Sequence, residues 1–229
     1  MIVSHAHRFI FLKTKKTAGS SIEYSLAPHC ADGDIITPAS RDEEPNREGR
    51  GAQNFWLPLS QRGPVGMVRA LFTDTPERYI GFYNHMPAAR ARQLLGETIW
   101  TGYFKFAFER NPWDRQVSLY YWRYRDPETR PGFEDFCCDP RWRKAARNWS
   151  IYSIKGSVAV DRVGRYERLT DDLKAIFETV GLEGEPALPH LKSSTREGGR
   201  DYRAHYTPAA RDAVASLYER EIDAFGYEF

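Results

Sequence analysis

The sequence predicts an α/β domain layered around a mostly parallel sheet. Three observations predict it. Short apolar runs alternate with helix-spaced stretches, two of those runs break into polar turns that open helices, and the length and composition suit one packed unit. The chain has 229 residues, 41% hydrophobic and 28% charged, so residues 1–229 read as a single domain with one main core.

Phe9-Ile10-Phe11-Leu12, within 8–13, predicts the first strand, and Ile22 with Leu26 the buried side of the helix that follows. The stretch from about 31 to 64 contains Pro38, Pro45, Pro58 and Pro64 with Gly33, Gly49, Gly51 and Gly63 and has no periodicity, so it reads as an inserted loop or lid. Val65 to Phe72 reads as a second strand. Pro87 opens a short helix through Leu94 and Leu95 that Gly96 stops. The aromatic run Tyr103 to Phe108 reads as a buried strand. After it, Asn111 is a good helix cap and Pro112 a good first helical residue, with Trp113, Val117, Tyr120, Tyr121 and Tyr124 as the buried stripe. Val158 to Tyr166 reads as another strand, and Thr170 as the cap of a helix buried through Leu173, Ile176, Phe177 and Val180 and ended by Gly181. Thr207-Pro208 starts the last helix, which buries Val214, Leu217, Tyr218, Ile222 and Phe225.

Lys plus Arg total 33 against 31 Asp plus Glu, a formal +2. That balance excludes a protein that coats nucleic acid or a lipid surface by bulk charge, so any bound anion must be met locally. No apolar run approaches the ~18 residues of a membrane span, and the first eight residues lack the apolar stretch of a secretory signal. Cys30, Cys137 and Cys138 form neither a disulfide framework nor a zinc site. Reduced thiols, no metal and a cytoplasmic location are expected.

Lys13 to Ser21 joins the first strand to the first helix and is chemically a set of anion ligands. It offers unpaired N–H groups at a helix N-terminus, hydroxyls from Thr17, Ser20 and Ser21, and ammonium groups from Lys15 and Lys16. Ala18 and Gly19 let the backbone approach a bulky oxyanion. The plain alternative is a solvated basic turn capped by Ser20. The ATP and GTP loop pattern places Lys directly after its last Gly; here Lys16 precedes Gly19 by three residues, which disfavours a standard nucleotide triphosphatase. At the second strand-to-helix junction Arg110 leaves the strand, and Ser118 lies two helical turns beyond the Asn111 cap, so the two can grip one phosphate. Arg110 in a salt bridge with Asp114 is the alternative. Open α/β sheets bind ligands outside the carboxyl ends of their strands, and two anion-ready junctions there imply a ligand with two separated phosphate-like groups.

These residues resemble a known pattern. The stretch KKTAGSS at 15–21 resembles the 5'-phosphosulfate loop, usually PKTGxTS, of sulfotransferases that use 3'-phosphoadenosine 5'-phosphosulfate (PAPS). The stretch FAFERNPWDRQVS at 106–118 resembles their 3'-phosphate motif. NHMPA at 84–88, GRYERL at 164–169, LPHL at 188–191 and FGYEF at 225–229 extend the similarity to the carbohydrate branch related to heparan sulfate 2-O-sulfotransferase, with its small bacterial relatives. Lys15 stands where the family has Pro, and Ala18 where it has its first Gly. The Golgi members carry a membrane anchor, and none is expected here.

The resemblance implies a P-loop-like, three-layer fold with helices flanking the sheet. It also implies metal-independent transfer of a sulfonate from PAPS to a hydroxyl acceptor, expected to be a carbohydrate, leaving adenosine 3',5'-bisphosphate (PAP). By position, Lys16 would contact the sulfonate and bridging oxygen. Thr17, Ala18, Gly19, Ser20 and Ser21, with Lys15 beside them, would hold the 5'-phosphate, and Arg110 and Ser118 the 3'-phosphate. Tyr166 would border the adenine, and Lys192 and Ser193 would close over the nucleotide. His85 matches the family's His and is the candidate base, imidazole having the ordinary pKa nearest neutrality; capping the Pro87 helix or packing beside Tyr83 is its structural alternative.

Two rivals stay open. A small-molecule kinase would use Asp74 for magnesium, and a module that kept the fold without catalysis would only bind nucleotide or glycan. For an acceptor, Tyr120, Tyr121, Trp122, Trp142 and Trp149 offer stacking surfaces and Arg141, Arg143, Lys144 and Arg147 positive charge, although most aromatics at helical spacing are core and a solvated helix face is the plainer account of the charges.

Overall fold

The computed structural model describes residues 1–39, 49–141, 147–188 and 201–229. β1 (Ile2–Ser4) turns back into β2 (Phe9–Phe11), which leads through the basic loop to α1 (Gly19–Leu26). β3 (Ile35–Ile36) lies within the proline- and glycine-rich stretch, and α2 (Pro64–Ala70) and α3 (Glu77–Ile80) follow it. Next come α4 (Ala88–Leu95), α5 (Glu97–Gly102), β4 (Phe104–Glu109) and α6 (Pro112–Arg123). α7 (Phe133–Cys138), α8 (Trp149–Tyr152) and the small hairpin β5 (Ser153–Ile154) and β6 (Ser157–Val158) precede β7 (Arg162–Arg165). α9 (Leu169–Val180), α10 (Pro208–Leu217) and α11 (Glu219–Phe225) complete the order.

The main sheet has the order β3-β1-β2-β4-β7. β2 and β4 are parallel neighbours, as are β4 and β7, while β1 is antiparallel to both β2 and β3. All strands except β1 therefore point the same way, and the α/β expectation with a mostly parallel sheet holds. Alternation along the strands buries both faces. Ile2, Phe9, Phe11, Phe106 and Phe108 pack with residues of α1 and α9 on one side. Val3, Ile10, Leu12 and Ala107 pack with residues of α4, α5 and α8 on the other. A third cluster joins α6, α7 and α10 through Trp113, Val117, Tyr120, Phe136 and Val214. Gly164 on β7 is required where it stands, because a Cβ there would lie 2.5 Å from the Phe108 ring across the strand pair.

Several expectations need correction. Val65 to Phe72 is not a strand: Gly63 enters extended, Pro64 supplies a helical φ, and Pro64–Ala70 is α2. Its branched residues stay in water, with Val65 and Val68 exposed, so no sheet neighbour rewards their β preference. The strand expected over 158–166 starts only at Arg162, where it meets Phe106 on β4; Ser157 and Val158 instead fold back on β5. Thr170 does not cap α9, since a 3₁₀ turn over Tyr166–Arg168 already brings the chain in and Leu169 is the first helical residue. The last helix breaks at Tyr218, whose buried ring lies 4.4 Å under the Arg115 guanidinium and whose hydroxyl donates to Gln116 Oε1 at 3.0 Å.

Glu23 of α1 is fully buried beneath the basic loop and accepts from Lys13 Nζ at 2.6 Å and from the Met1 ammonium. Burial opposes its ionisation, but these two cations outweigh it and hold its pKa at about 2, against an ordinary 4.5. Its contribution to stability is therefore complete above about pH 4.5 and is lost as pH falls toward 2. Glu23→Gln should unfold about 3–5 kcal/mol more easily at neutral pH, because two buried cations lose their partner. Urea titrations at several pH values check this: the difference between variant and wild type should shrink in acid.

Candidate functional site

β2 and β4 lie side by side, so both strand-to-helix junctions open at the same edge of the sheet. At the first junction Lys16 and Ala18 have left-handed backbone, with φ of 61° and 60°. Such turns orient successive N–H groups toward one point, the geometry of an anion-binding nest, and α1 adds the positive end of its dipole. This conformation costs an alanine roughly 1 kcal/mol. Ala18→Gly is accordingly expected to raise unfolding free energy by about 1 kcal/mol, as read in a urea melt; a loss of stability would contradict the left-handed turn.

The loop residues divide by direction. Lys13 points inward to Glu23, and its stem lies against Gly19, where a Cβ would come within 2.7 Å of Lys13 Cγ. Thr17 is buried with its hydroxyl 2.7 Å from that of Thr14, which in turn donates to Phe108 O on β4. The Thr17 hydroxyl is therefore engaged within the loop. Lys15 and Lys16 are half-buried, and Lys16 Nζ lies 5.1 Å from the Trp122 ring at the end of α6. Burial first, then the charges of Arg78 and Arg115, hold the Lys15 ammonium below its ordinary pKa. Ser20 is half-buried and Ser21 buried in the first turn of α1.

At the second junction Asn111 caps α6 by accepting from Trp113 N at 3.0 Å and Asp114 N at 3.4 Å, as the sequence predicts. Arg110 is buried. Its Nε and Nη2 both lie 2.6 Å from Asp114 Oδ2, and its guanidinium carbon sits 3.9 Å from the centre of the Tyr166 ring. Nη1 reaches across to donate to Lys16 O at 3.3 Å, tying the two junctions together. The salt bridge with Asp114 and the neighbourhood of the basic loop thus coexist. Ser118 is half-buried on α6. The carboxyl-terminal residues close this side: Asn111 Nδ2 donates to Glu228 O at 2.9 Å, and Trp113 and Phe229 pack edge to face.

His85 is brought to the same loop. Its backbone is left-handed at φ 63°, and Nδ1 lies 3.0 Å from Lys13 O. A carbonyl only accepts, so Nδ1 carries the proton and Nε2 of the neutral ring presents a lone pair. Burial first, then the positive charge of Lys13, push the His85 pKa down to about 3; the bond to Lys13 O opposes this without overcoming it. The ring is therefore neutral at physiological pH, but far from the near-neutral pKa expected of an ordinary imidazole.

One residue that sequence reasoning missed holds the loop. Asn148, fully buried, accepts from Lys15 N–H at 2.8 Å and donates to Lys15 O at 3.1 Å, clamping both sides of that residue's backbone. Its Nδ2 also lies 3.3 Å from Glu109 Oε1. Glu109 in turn is paired with Arg115, accepts from Tyr152 at 2.9 Å and accepts from the Arg110 N–H at 2.9 Å. This buried polar network supports both junctions from behind. A lone Asn separated from Lys15 by 133 positions gives no sequence signal. Lys192, Ser193, Trp142, Arg143 and Lys144 lie outside the described residues.

A family model for the sulfotransferase family matches residues 1–228. The chain is also 35% identical over 104 residues to an uncharacterised protein of Archaeoglobus fulgidus, an alignment covering 44% of this chain and 86% of that one. With a match running almost end to end, the chain belongs to the sulfotransferase family.

Proposed function

We propose that the protein transfers the sulfonate of PAPS to a hydroxyl of a carbohydrate-bearing acceptor. The observation that carries this reading is convergence on one short loop. Arg110 from the second junction donates to the Lys16 carbonyl, and His85 from a third segment bonds the Lys13 carbonyl. The donor set is mainly nitrogen and cation: left-handed loop N–H groups, Lys15 and Lys16 on one side, and Arg110, paired with Asp114 and lying beside Tyr166, on the other. Such a set fits a ligand carrying anions at both ends of a nucleoside and needs no metal to neutralise them.

In this reading the loop N–H groups and Lys16 stabilise charge that builds on the 5'-phosphate as its bond to sulfur breaks. His85 Nε2 takes the acceptor proton as the acceptor oxygen bonds to sulfur, so the products are the sulfate ester, PAP and a protonated imidazole. Trp122, 44% exposed and next to Lys16, offers a face on which a sugar ring can rest. Incubation with sulfur-labelled PAPS and a panel of glycans, glycolipids and small alcohols, followed by mass spectrometry, tests the transfer. Lys16→Ala should slow the single-turnover step by a larger factor than it weakens PAP binding; equal effects would remove the leaving-group role.

A further inference from the structure

Among the described residues, large apolar side chains that stand in water are concentrated in one place: eight of the ten lie between positions 56 and 79. Leu71 and Phe72, just past α2, are 79% and 84% exposed, and Leu59 in the turn before it is 74% exposed. Val65 and Val68 continue the patch along α2. Scattered exposed apolar residues are ordinary, but a contiguous cluster marks a surface that is covered in use.

Position and charge indicate the cover. The base of the α2–α3 hairpin is stitched to the segment that ends in His85: Leu57 N–H donates to Ile80 O at 3.0 Å and Phe82 N–H to Phe55 O at 2.7 Å. Arg62, Arg69 and Arg78 are interleaved with the apolar residues, against the acids Asp74 and Glu77. The Arg62 guanidinium lies 6.0 Å from the Trp56 ring and that of Arg78 5.3 Å from the Tyr83 ring. Exposed aliphatic side chains on and just past α2, with aromatic and arginine side chains in the turns around it, have the composition of a surface that lies in a membrane interface. At seven residues, α2 is far too short to cross a bilayer.

We propose that the α2–α3 hairpin docks the protein on an anionic lipid bilayer and that the acceptor hydroxyl is carried by a lipid headgroup presented beside His85. The docking stands on the patch alone, and the headgroup acceptor rests on the transfer reading above. The attraction is local and is compatible with a chain that is nearly neutral as a whole.

The test is flotation of the full chain with phosphatidylcholine vesicles, with and without phosphatidylglycerol, for the wild type and a Leu71→Ser, Phe72→Ser double variant. PAP binding by calorimetry runs alongside as the check that the variant is folded. The wild type should float with the vesicles, more strongly with phosphatidylglycerol present. The double variant should lose about tenfold to a hundredfold in partitioning while binding PAP as the wild type does. Absence of vesicle binding by wild type that binds PAP overturns the docking, as does a wild-type dimer that the double variant dissolves. Vesicle binding without any PAP binding would keep the docking and remove the transfer reading. Sulfation of a free sugar as fast as of the same sugar on an alkyl chain in vesicles would remove the headgroup acceptor.

Discussion

Arg110→Ala is expected to weaken PAP binding by about 2–5 kcal/mol, the usual range for breaking a desolvated charge pair, while AMP, which lacks the 3'-phosphate, loses much less. The residue is 7% exposed and its guanidinium lies on Tyr166, so a phosphate held there would meet a largely desolvated cation. Its present partner is Asp114, and removing Arg110 also leaves that carboxylate alone near the nucleotide. Repulsion from Asp114 adds to the loss for a ligand with a second phosphate nearby. The AMP comparison separates the proposed role from general damage, because a disturbed α6 would weaken both ligands alike. Arg110→Lys should recover only part of the affinity, since an ammonium cannot keep the Asp114 contact and form a fork on phosphate together.

His85→Ala is expected to lower turnover by about 10²–10⁴-fold with PAP affinity nearly unchanged. The ring's Nδ1 is fixed by Lys13 O, which leaves Nε2 as the proton acceptor and predicts that His85→Gln fails as completely as the alanine variant. The pH dependence follows from burial and the surrounding cations. With the free-enzyme pKa near 3, His85 stays neutral as pH falls through the ordinary imidazole range. The rate constant kcat/KM for PAPS should therefore show no acid limb near 6.5 that belongs to His85. A limb there that the glutamine variant abolishes would contradict the environment described. Donor phosphates would offset the field of Lys13 and Lys15 and shift this pKa upward, while burial, the larger cause, remains. Turnover unimpaired in His85→Ala would remove the base assignment.

The parts of the fold that the sequence made legible are those specified by neighbouring residues. Asn111-Pro112 caps and starts α6 with its own side chain and ring, and Gly96 and Gly181 end helices by their own backbone. Both junctions were visible because a strand, a polar turn and a helix N-terminus follow one another directly in the chain. Illegible features depend on distant partners. β1 and β3 are too short to show alternation and exist through pairing with each other and with β2. Val65 to Phe72 has a strand's composition, but whether such a run pairs or stays in water is decided by the rest of the fold. Within the site, residue type alone does not say where Lys13 turns. Only the burial of Glu23 assigns Lys13 to an internal ion pair and leaves Lys15 and Lys16 half-buried at the surface. The Asn148 clamp and the low pKa of His85 likewise arise from groups far apart in the chain that meet at the loop.

The account depends on one nucleotide spanning both junctions, its 5' end at the loop after β2 and its 3'-phosphate at Arg110. Titration calorimetry of the wild-type protein with PAP and with AMP addresses this directly. PAP should bind more tightly by about 2–5 kcal/mol, and the advantage should vanish in Arg110→Ala. Equal affinity of the wild type for the two nucleotides would contradict the account.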